Sequence, residues 1–227
     1  MSQDAFQQQL KAAYQQEKQN VSEQCGDGTK FEPIVAATKS FYQKLDETIS
    51  GAAMHIDNNV QCKKDCSYCC YFRVDVSANE VFTLVDHIES TFSKPQLEQL
   101  IQKAIDSKKK VGMLSQAKRI VTNVACPLLE EGICSAYKAR PSMCRKVHST
   151  DVNTCKKSYD NPEAADVKNA EHPVLSAITM TMLTAARDGF SSNKSDASIY
   201  DLNEVLLMAL EDKKYKKRWL NGKKAFP

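Results

Sequence analysis

Apolar residues recur along this chain at the three- and four-residue spacing of helices, and nowhere do they alternate long enough to make a convincing strand. Phe6, Leu10 and Tyr14 mark a Gln-rich, modestly amphipathic first helix that Gly26-Asp27-Gly28 breaks. Ile34, Thr38, Phe41, Leu45, Ile49 and Ala52 lie on one stripe of a second helix, from about Pro33 to His55. A compact segment, residues 62–70, follows. Ser77-Ala78-Asn79-Glu80 has the form of a capping box ahead of Val81, Leu84, Val85 and Ile88. Ser93-Lys94-Pro95-Gln96 repeats it ahead of Leu97, Leu100, Ile101, Ala104 and Ile105. Residues 126–162 lose the periodicity, hold three of the seven prolines, and include the turn-like Glu131-Gly132. Pro173 then opens an apolar helix reaching Arg187, residues 189–195 form a loop, and Ser198 reads as the cap of a last helix carrying Leu202, Val205, Leu206, Ala209 and Leu210. No internal repeat is visible. The pattern predicts a mostly α protein, a helical domain with an irregular cysteine-rich region inserted between its helices.

Composition agrees with that pattern. The 227 residues are 42% hydrophobic and 26% charged, the usage of a globular chain with a core. Seven glycines and seven prolines leave few turns. No run approaches the ~18–20 apolar residues of a membrane span; Val174 to Ala186 is too short and contains one Ser and three Thr. The first residues lack the basic and then apolar regions of a signal peptide, so a cytoplasmic location is expected. The net charge of +3 is unevenly placed: seven Lys and Arg and no acid follow Asp212, leaving 24 basic against 28 acidic groups in residues 1–212. Lys213 to Leu220 could serve as a phosphate-binding strip with interleaved aromatics, but no recognition module accompanies it. A solvated helix end is favoured, since basic side chains suit the negative pole of a helix. Nucleic acid is therefore not an expected partner, and no protein partner is indicated.

The cysteines change the picture. Leaving out Cys25, they fall into two groups: Cys62, Cys66, Cys69 and Cys70, then Cys126, Cys134, Cys144 and Cys155. Disulfides are not expected in a reducing compartment, and structural cysteines scatter singly through cores rather than gathering four in nine residues. Thiolate ligation of a soft or borderline metal explains the grouping. Were residues 62–70 continuous helix, the four thiols would point at roughly 0°, 40°, 340° and 80° around it, all near one stripe. Cys62 and Cys70 would still stand ~12 Å apart along the axis. Two sulfurs on one zinc can be at most ~4.6 Å apart, given Zn–S bonds of ~2.3 Å. Eight thiolates then mean two four-cysteine sites or a polynuclear cluster, though a looped segment would gather them more tightly. Zinc suits tetrahedral thiolate sites, while the Cys126-Pro127 step also occurs at the end of ferredoxin-type iron–sulfur motifs. Lys63, Lys64, Arg73, Lys138, Arg140, Arg145 and Lys146 lie beside the cysteines and could offset thiolate charge, Arg140 and Arg145 most credibly. His148 is either a further ligand or proton donor, or an imidazole that ties down the loop. Trp219 is expected to anchor the tail on the core.

Two blocks carry a resemblance. Cys62-Lys-Lys-Asp-Cys66-Ser-Tyr-Cys69-Cys70 with Val74 to Glu80, and Cys126-Pro-Leu-Leu-Glu-Glu-Gly-Ile-Cys134 continuing through Tyr137, Arg140-Pro141, Cys144-Arg145, His148-Ser149 and Cys155, resemble the YkgJ-type cysteine-cluster family, also called CxxCxxCC, of zinc- or iron-chelating domains. Asp201 to Leu210 and Arg218-Trp219-Leu220 look like the tail of its longer members. The three-residue gap between Cys62 and Cys66 departs from the family name. The resemblance implies a single domain over 33–227, with residues 1–32 a helix and linker outside it, and it implies that the eight cysteines are metal ligands while Cys25 is not. A relative with this signature is associated with methylation of flagellin lysines, but no glycine-rich nucleotide loop follows a strand here. Three functions stay open: a metal-binding protein holding zinc or iron, as single ions or as an iron–sulfur cluster; an iron–sulfur enzyme using His148 and Arg145; and a zinc-stabilised interaction protein with a basic tail.

Overall fold

A computed structural model describes residues 2–56, 60–63, 66–164, 169–192 and 196–227. Helices dominate the described residues: α1 (Gln3–Cys25), α2 (Phe31–His55), α3 (Ala78–Thr91), α4 (Lys94–Gly112), α5 (Gln116–Ile120), α6 (Ser142–Lys146), α7 (Val152–Asp160), α8 (Pro173–Ser191), α9 (Leu202–Glu211) and α10 (Lys214–Leu220). Four two-residue strands form two antiparallel pairs. β1 (Asp75–Val76) lies on β4 (Tyr200–Asp201), and β2 (Leu129–Glu130) on β3 (Ile133–Cys134).

The helix α3 is the centre of the packing. Both groups of its capping box are made, Ser77 with the backbone of Glu80 and the Glu80 carboxylate with the Ser77 amide at 3.0 Å. Val81, Phe82, Leu84, Val85 and Ile88 are all buried, each fully covered side chain contributing about 1.5–3 kcal/mol. Asn79 donates to Thr38 at 3.1 Å and so locks α3 against α2. The helix α1 lies along α8, and Gly189 sits at the closest approach: a Cβ there would come within 2.7 Å of the Lys18 carbonyl. Val21 and Cys25 of α1 belong to the same core as α3. The helices α4 and α9 pack together, joined through Asn203, which donates to Ser107 at 2.7 Å and to the Ala125 carbonyl at 3.2 Å.

Two expectations from the periodicity are corrected. Ser198 does not cap the last long helix; Asp201 does, accepting from the Asn203 amide at 3.0 Å. Asp201 is available for this because Tyr200 and Asp201 pair with β1, a long-range contact, and because Arg119 holds its carboxylate through buried contacts of 2.6 and 3.3 Å. Residues 126–162 are also more regular than their lost periodicity suggests, for they contain the β2–β3 hairpin, α6 and α7. Glu131 (φ 47°) and Gly132 (φ 81°) make the two-residue hairpin turn, whose two positive φ values match the right-handed twist of the flanking strands. The basic tail forms α10, and Trp219 anchors it: the ring is 2% exposed and stacks on Phe82 with centroids 5.1 Å apart. Phe226 stacks on the same Phe82 ring at 5.6 Å. No helix among the described residues is long and apolar enough to cross a membrane.

Candidate metal centre

The first cysteine group is not on a helix. Residues 60–63 are irregular, a turn joins the Cys66 amide to the Lys63 carbonyl at 3.2 Å, and a 3-10 turn, Tyr68–Tyr71, carries Cys69 and Cys70. The continuous-helix geometry considered above therefore does not apply, and the thiols need not be spread along an axis. Residues 64 and 65 lie outside the described residues, Lys64 with them. Backbone bonds dock the two groups together. The Cys126 amide donates to the Cys70 carbonyl at 2.8 Å and the Val124 amide to the Tyr71 carbonyl at 2.9 Å. On the other side the Gln61 amide donates to the Ser149 carbonyl at 2.8 Å, and the Val152 amide to the Gln61 side chain at 3.0 Å. Tyr159 packs on Tyr71 and Tyr68 with centroids 4.9 and 5.6 Å apart, and so seats α7 on the 3-10 turn. Cys155, four residues before Tyr159, shares its face of α7.

The second group hangs on the core. After Cys126 the hairpin returns the chain so that Leu129 faces Cys134. The short helix α6, which carries Cys144, is held at its start by Glu80: Ser142 donates to the Glu80 carboxylate from its amide at 2.8 Å and its hydroxyl at 2.6 Å, and Tyr42 adds a third donor at 3.3 Å. Asp46 of α2 clamps the same turn by accepting from both Arg140, at 3.2 Å, and Arg145. The remaining donors of Arg145 go to the carbonyls of Arg140 and Lys138 at 2.9 and 2.6 Å, and its guanidinium lies over the Tyr42 ring. Arg145 thus braces the Lys138–Arg145 turn. Arg140 lies over the Tyr137 ring at 4.0 Å.

The sulfurs form one patch centred on Cys69. Cys62 has Cys66, Cys69 and Cys155 among its strongest electrostatic neighbours, and Cys66 has Cys69 and Cys155. On the other side Cys144 feels Cys126, Cys69 and Cys134, while Cys69 and Cys70 interact directly. Burial pushes the Cys126 thiol up to about 12 and raises those of Cys62, Cys66, Cys134 and Cys144, and each neighbouring thiolate adds to the effect. Backbone amides oppose it: those of Ser149, Tyr68, Leu128 and Ala136 hydrogen-bond the sulfurs of Cys62, Cys66, Cys126 and Cys134. Amide donors aimed at sulfur favour thiolate and raise no competing charge, as in metal–thiolate centres. The Arg140 charge also favours the Cys134 thiolate, and Lys63 that of Cys66. Among the described residues no three His, Cys, Asp or Glu side chains are drawn tightly enough to hold one ion. The donor set fits a soft or borderline metal in its chemistry, all sulfur and amide-supported, and is an open patch rather than a closed sphere.

Other residues singled out from the sequence sit elsewhere. His148 is buried with both ring nitrogens engaged: Nε2 accepts the His172 amide at 2.9 Å, which leaves Nδ1 to donate to the Lys146 carbonyl at 3.1 Å. It ties the loop down and has no ring nitrogen left to ligate a metal. Arg73 pairs with Asp75 at 2.8 Å and Lys146 with Glu171 at 3.0 Å. Cys25 is 2% exposed in the hydrophobic core, where burial is what raises its thiol. Sequence reasoning passed over Asp46 and gave Glu80 only a capping role, although both position α6; their partners lie 62 to 99 residues further along the chain. The four sulfur-bound amides carry no side-chain signal by which a sequence could reveal them.

Comparison with known proteins agrees with the donor set. Residues 61–169, which include all eight clustered cysteines, match the family model CxxCxxCC, described as a putative zinc- or iron-chelating domain. No curated protein and no solved structure matches the chain.

Proposed function

Since residues 61–169 of this chain are a CxxCxxCC domain, we propose that the protein chelates zinc or iron through eight thiolates, Cys62, Cys66, Cys69, Cys70, Cys126, Cys134, Cys144 and Cys155. The observation that carries this is the convergence of thiols from two groups, 56 residues apart at their nearest members, upon Cys69. Backbone hydrogen bonds hold the groups side by side, and amides support four of the sulfurs. An ion supplies the charge that eight crowded thiolates lack, and drawing them in orders the irregular backbone of residues 60–63 and 66–67. Arg140 stands where it offsets charge at Cys134, and Arg145 and His148 act by holding the loops that present the cysteines.

Metal analysis and absorption spectra of anaerobically purified protein test this. Cys25→Ser should keep the full metal content, and Cys66→Ser should have a reduced one. Visible sulfur-to-iron absorption means iron, as an iron–sulfur cluster where acid-labile sulfide accompanies it; a colourless metal-loaded protein means zinc. Equal metal loss from the two variants, or metal-free protein in both, would overturn the assignment.

A further inference from the structure

Eight thiols around one residue need not be equivalent, and here they differ in what lies behind them. Cys126, Cys134 and Cys144 pack against the hydrophobic core, whereas Cys62, Cys66 and Cys155 do not, and Cys62 is exposed. The electrostatic neighbours divide the same way. Cys62 and Cys66 are coupled to each other and to Cys155; Cys144 is coupled to Cys126 and Cys134. Cys69 is common to both sets, and its adjacent Cys70 interacts with it directly. The side chains of Cys69 and Cys70 hydrogen-bond each other, so the pair is held together where the two sets meet.

We propose that the eight thiols build two unequal sites joined at Cys69–Cys70: an inner site of Cys126, Cys134 and Cys144 that keeps its ion as part of the fold, and an outer site of Cys62, Cys66 and Cys155 that exchanges a soft divalent ion with thiols or chelators in solution. This deepens the proposed chelation and rests on it. Three sulfurs plus one from the pair give each site the four thiolates that tetrahedral zinc takes.

The supports of the two sites differ as much as their exposure. The inner cysteines are held by the hairpin register, by Glu80 on Ser142, and by Asp46 on Arg140 and Arg145. The outer ones sit on irregular backbone and on the nine-residue α7. Exchange at the outer site is a ligand substitution with no change of oxidation state. An incoming thiolate forms a new zinc–sulfur bond, the zinc–Cys62 bond breaks, and Cys62 leaves as thiolate and takes a proton from water. The core behind Cys126 and Cys144 leaves an incoming ligand no comparable approach.

The test uses the full chain loaded with zinc and challenged with excess chromogenic chelator. Release should come in two phases of one zinc each, the second at least 100-fold slower. Iodoacetamide added after the first phase, with peptide mapping, should label Cys62, Cys66 and Cys155 and spare Cys126, Cys134 and Cys144. Cys155→Ser should lose the fast phase and keep the slow one. Release of all zinc in one phase, or labelling of both sets in step, would overturn the two-site proposal while leaving chelation intact. A wild-type chain that binds no zinc and no iron would remove chelation itself. The labelling experiment needs no variant, so misfolding cannot obscure it.

Discussion

Removing the Glu80 carboxylate should cost the protein several kcal/mol and loosen Cys144, although Glu80 touches no sulfur. Glu80 accepts from the Ser77 amide and hydroxyl at 3.0 and 2.9 Å, from the Ser142 amide and hydroxyl at 2.8 and 2.6 Å, and from Tyr42 at 3.3 Å. The residue is 7% exposed, so water cannot readily replace it. In Glu80→Ala the three hydroxyls can rotate to other acceptors, but two backbone amides are left without one, at ~1–3 kcal/mol each. The expected loss is ~3–5 kcal/mol, including the lost cap. Glu80→Gln keeps one carbonyl oxygen and turns an NH2 toward the other amide, so only one amide is orphaned and the loss should be ~1–3 kcal/mol. Urea unfolding of metal-free protein measures both. Alkylation of Cys144 should be faster in Glu80→Gln than in wild type, since the start of α6 is then held by fewer bonds. A loss below ~1 kcal/mol for Glu80→Ala, or equal losses for Ala and Gln, would refute this accounting of the carboxylate.

That coupling also shows where the sequence was legible and where it was not. Local signals were read well: the capping boxes at Ser77 and Ser93 form, Pro173 opens α8, and the Glu131-Gly132 turn is a tight hairpin. Each depends on residues within a few positions. The misread features depend on distant ones. Asp201 displaces Ser198 as cap because β1 and Arg119 hold it in place from 126 and 82 residues away. The helix α7 escaped notice because it is short and mostly polar, with Val152, Cys155 and Tyr159 alone to mark a face; Tyr159 secures it through Tyr68 and Tyr71. The cysteine spacing exposed the candidate ligands, but not that Cys126, Cys134 and Cys144 would rest on the core, which is a tertiary fact.

Four further outcomes are expected. Gly189→Ala should destabilise by ~1–3 kcal/mol in urea unfolding, because its Cβ meets the Lys18 carbonyl at 2.7 Å and Val21 Cβ at 2.8 Å, which outweighs its better helix propensity. Glu131→Asn should raise the melting temperature by ~1–3 °C, since Glu131 holds a φ of 47° that Asn adopts more readily. Burial raises the Cys25 thiol to about 12, so the unfolded chain releases this proton near 9 while the folded one keeps it. The stability it supplies is present below pH 9 and lost as the pH rises toward 12, so at pH 10.5 wild type should have lost ~2 kcal/mol more than Cys25→Ala has, relative to pH 8. Metal removal tests the link between the centre and the fold most directly. Metal-binding free energy is also folding free energy, on the order of 10 kcal/mol for structural zinc. The segment it should hold is the one whose own elements are short, the hairpin, α6 and the nine-residue α7. Protonating the thiolates by acid removes the metal just as a chelator does. In hydrogen exchange, either treatment should therefore strip protection from residues 126–162 first and leave α2, α3 and α8 largely protected. Unchanged protection in that segment after complete metal removal would mean that Glu80, Asp46 and the core contacts suffice to order it, and that the thiols serve a metal that comes and goes.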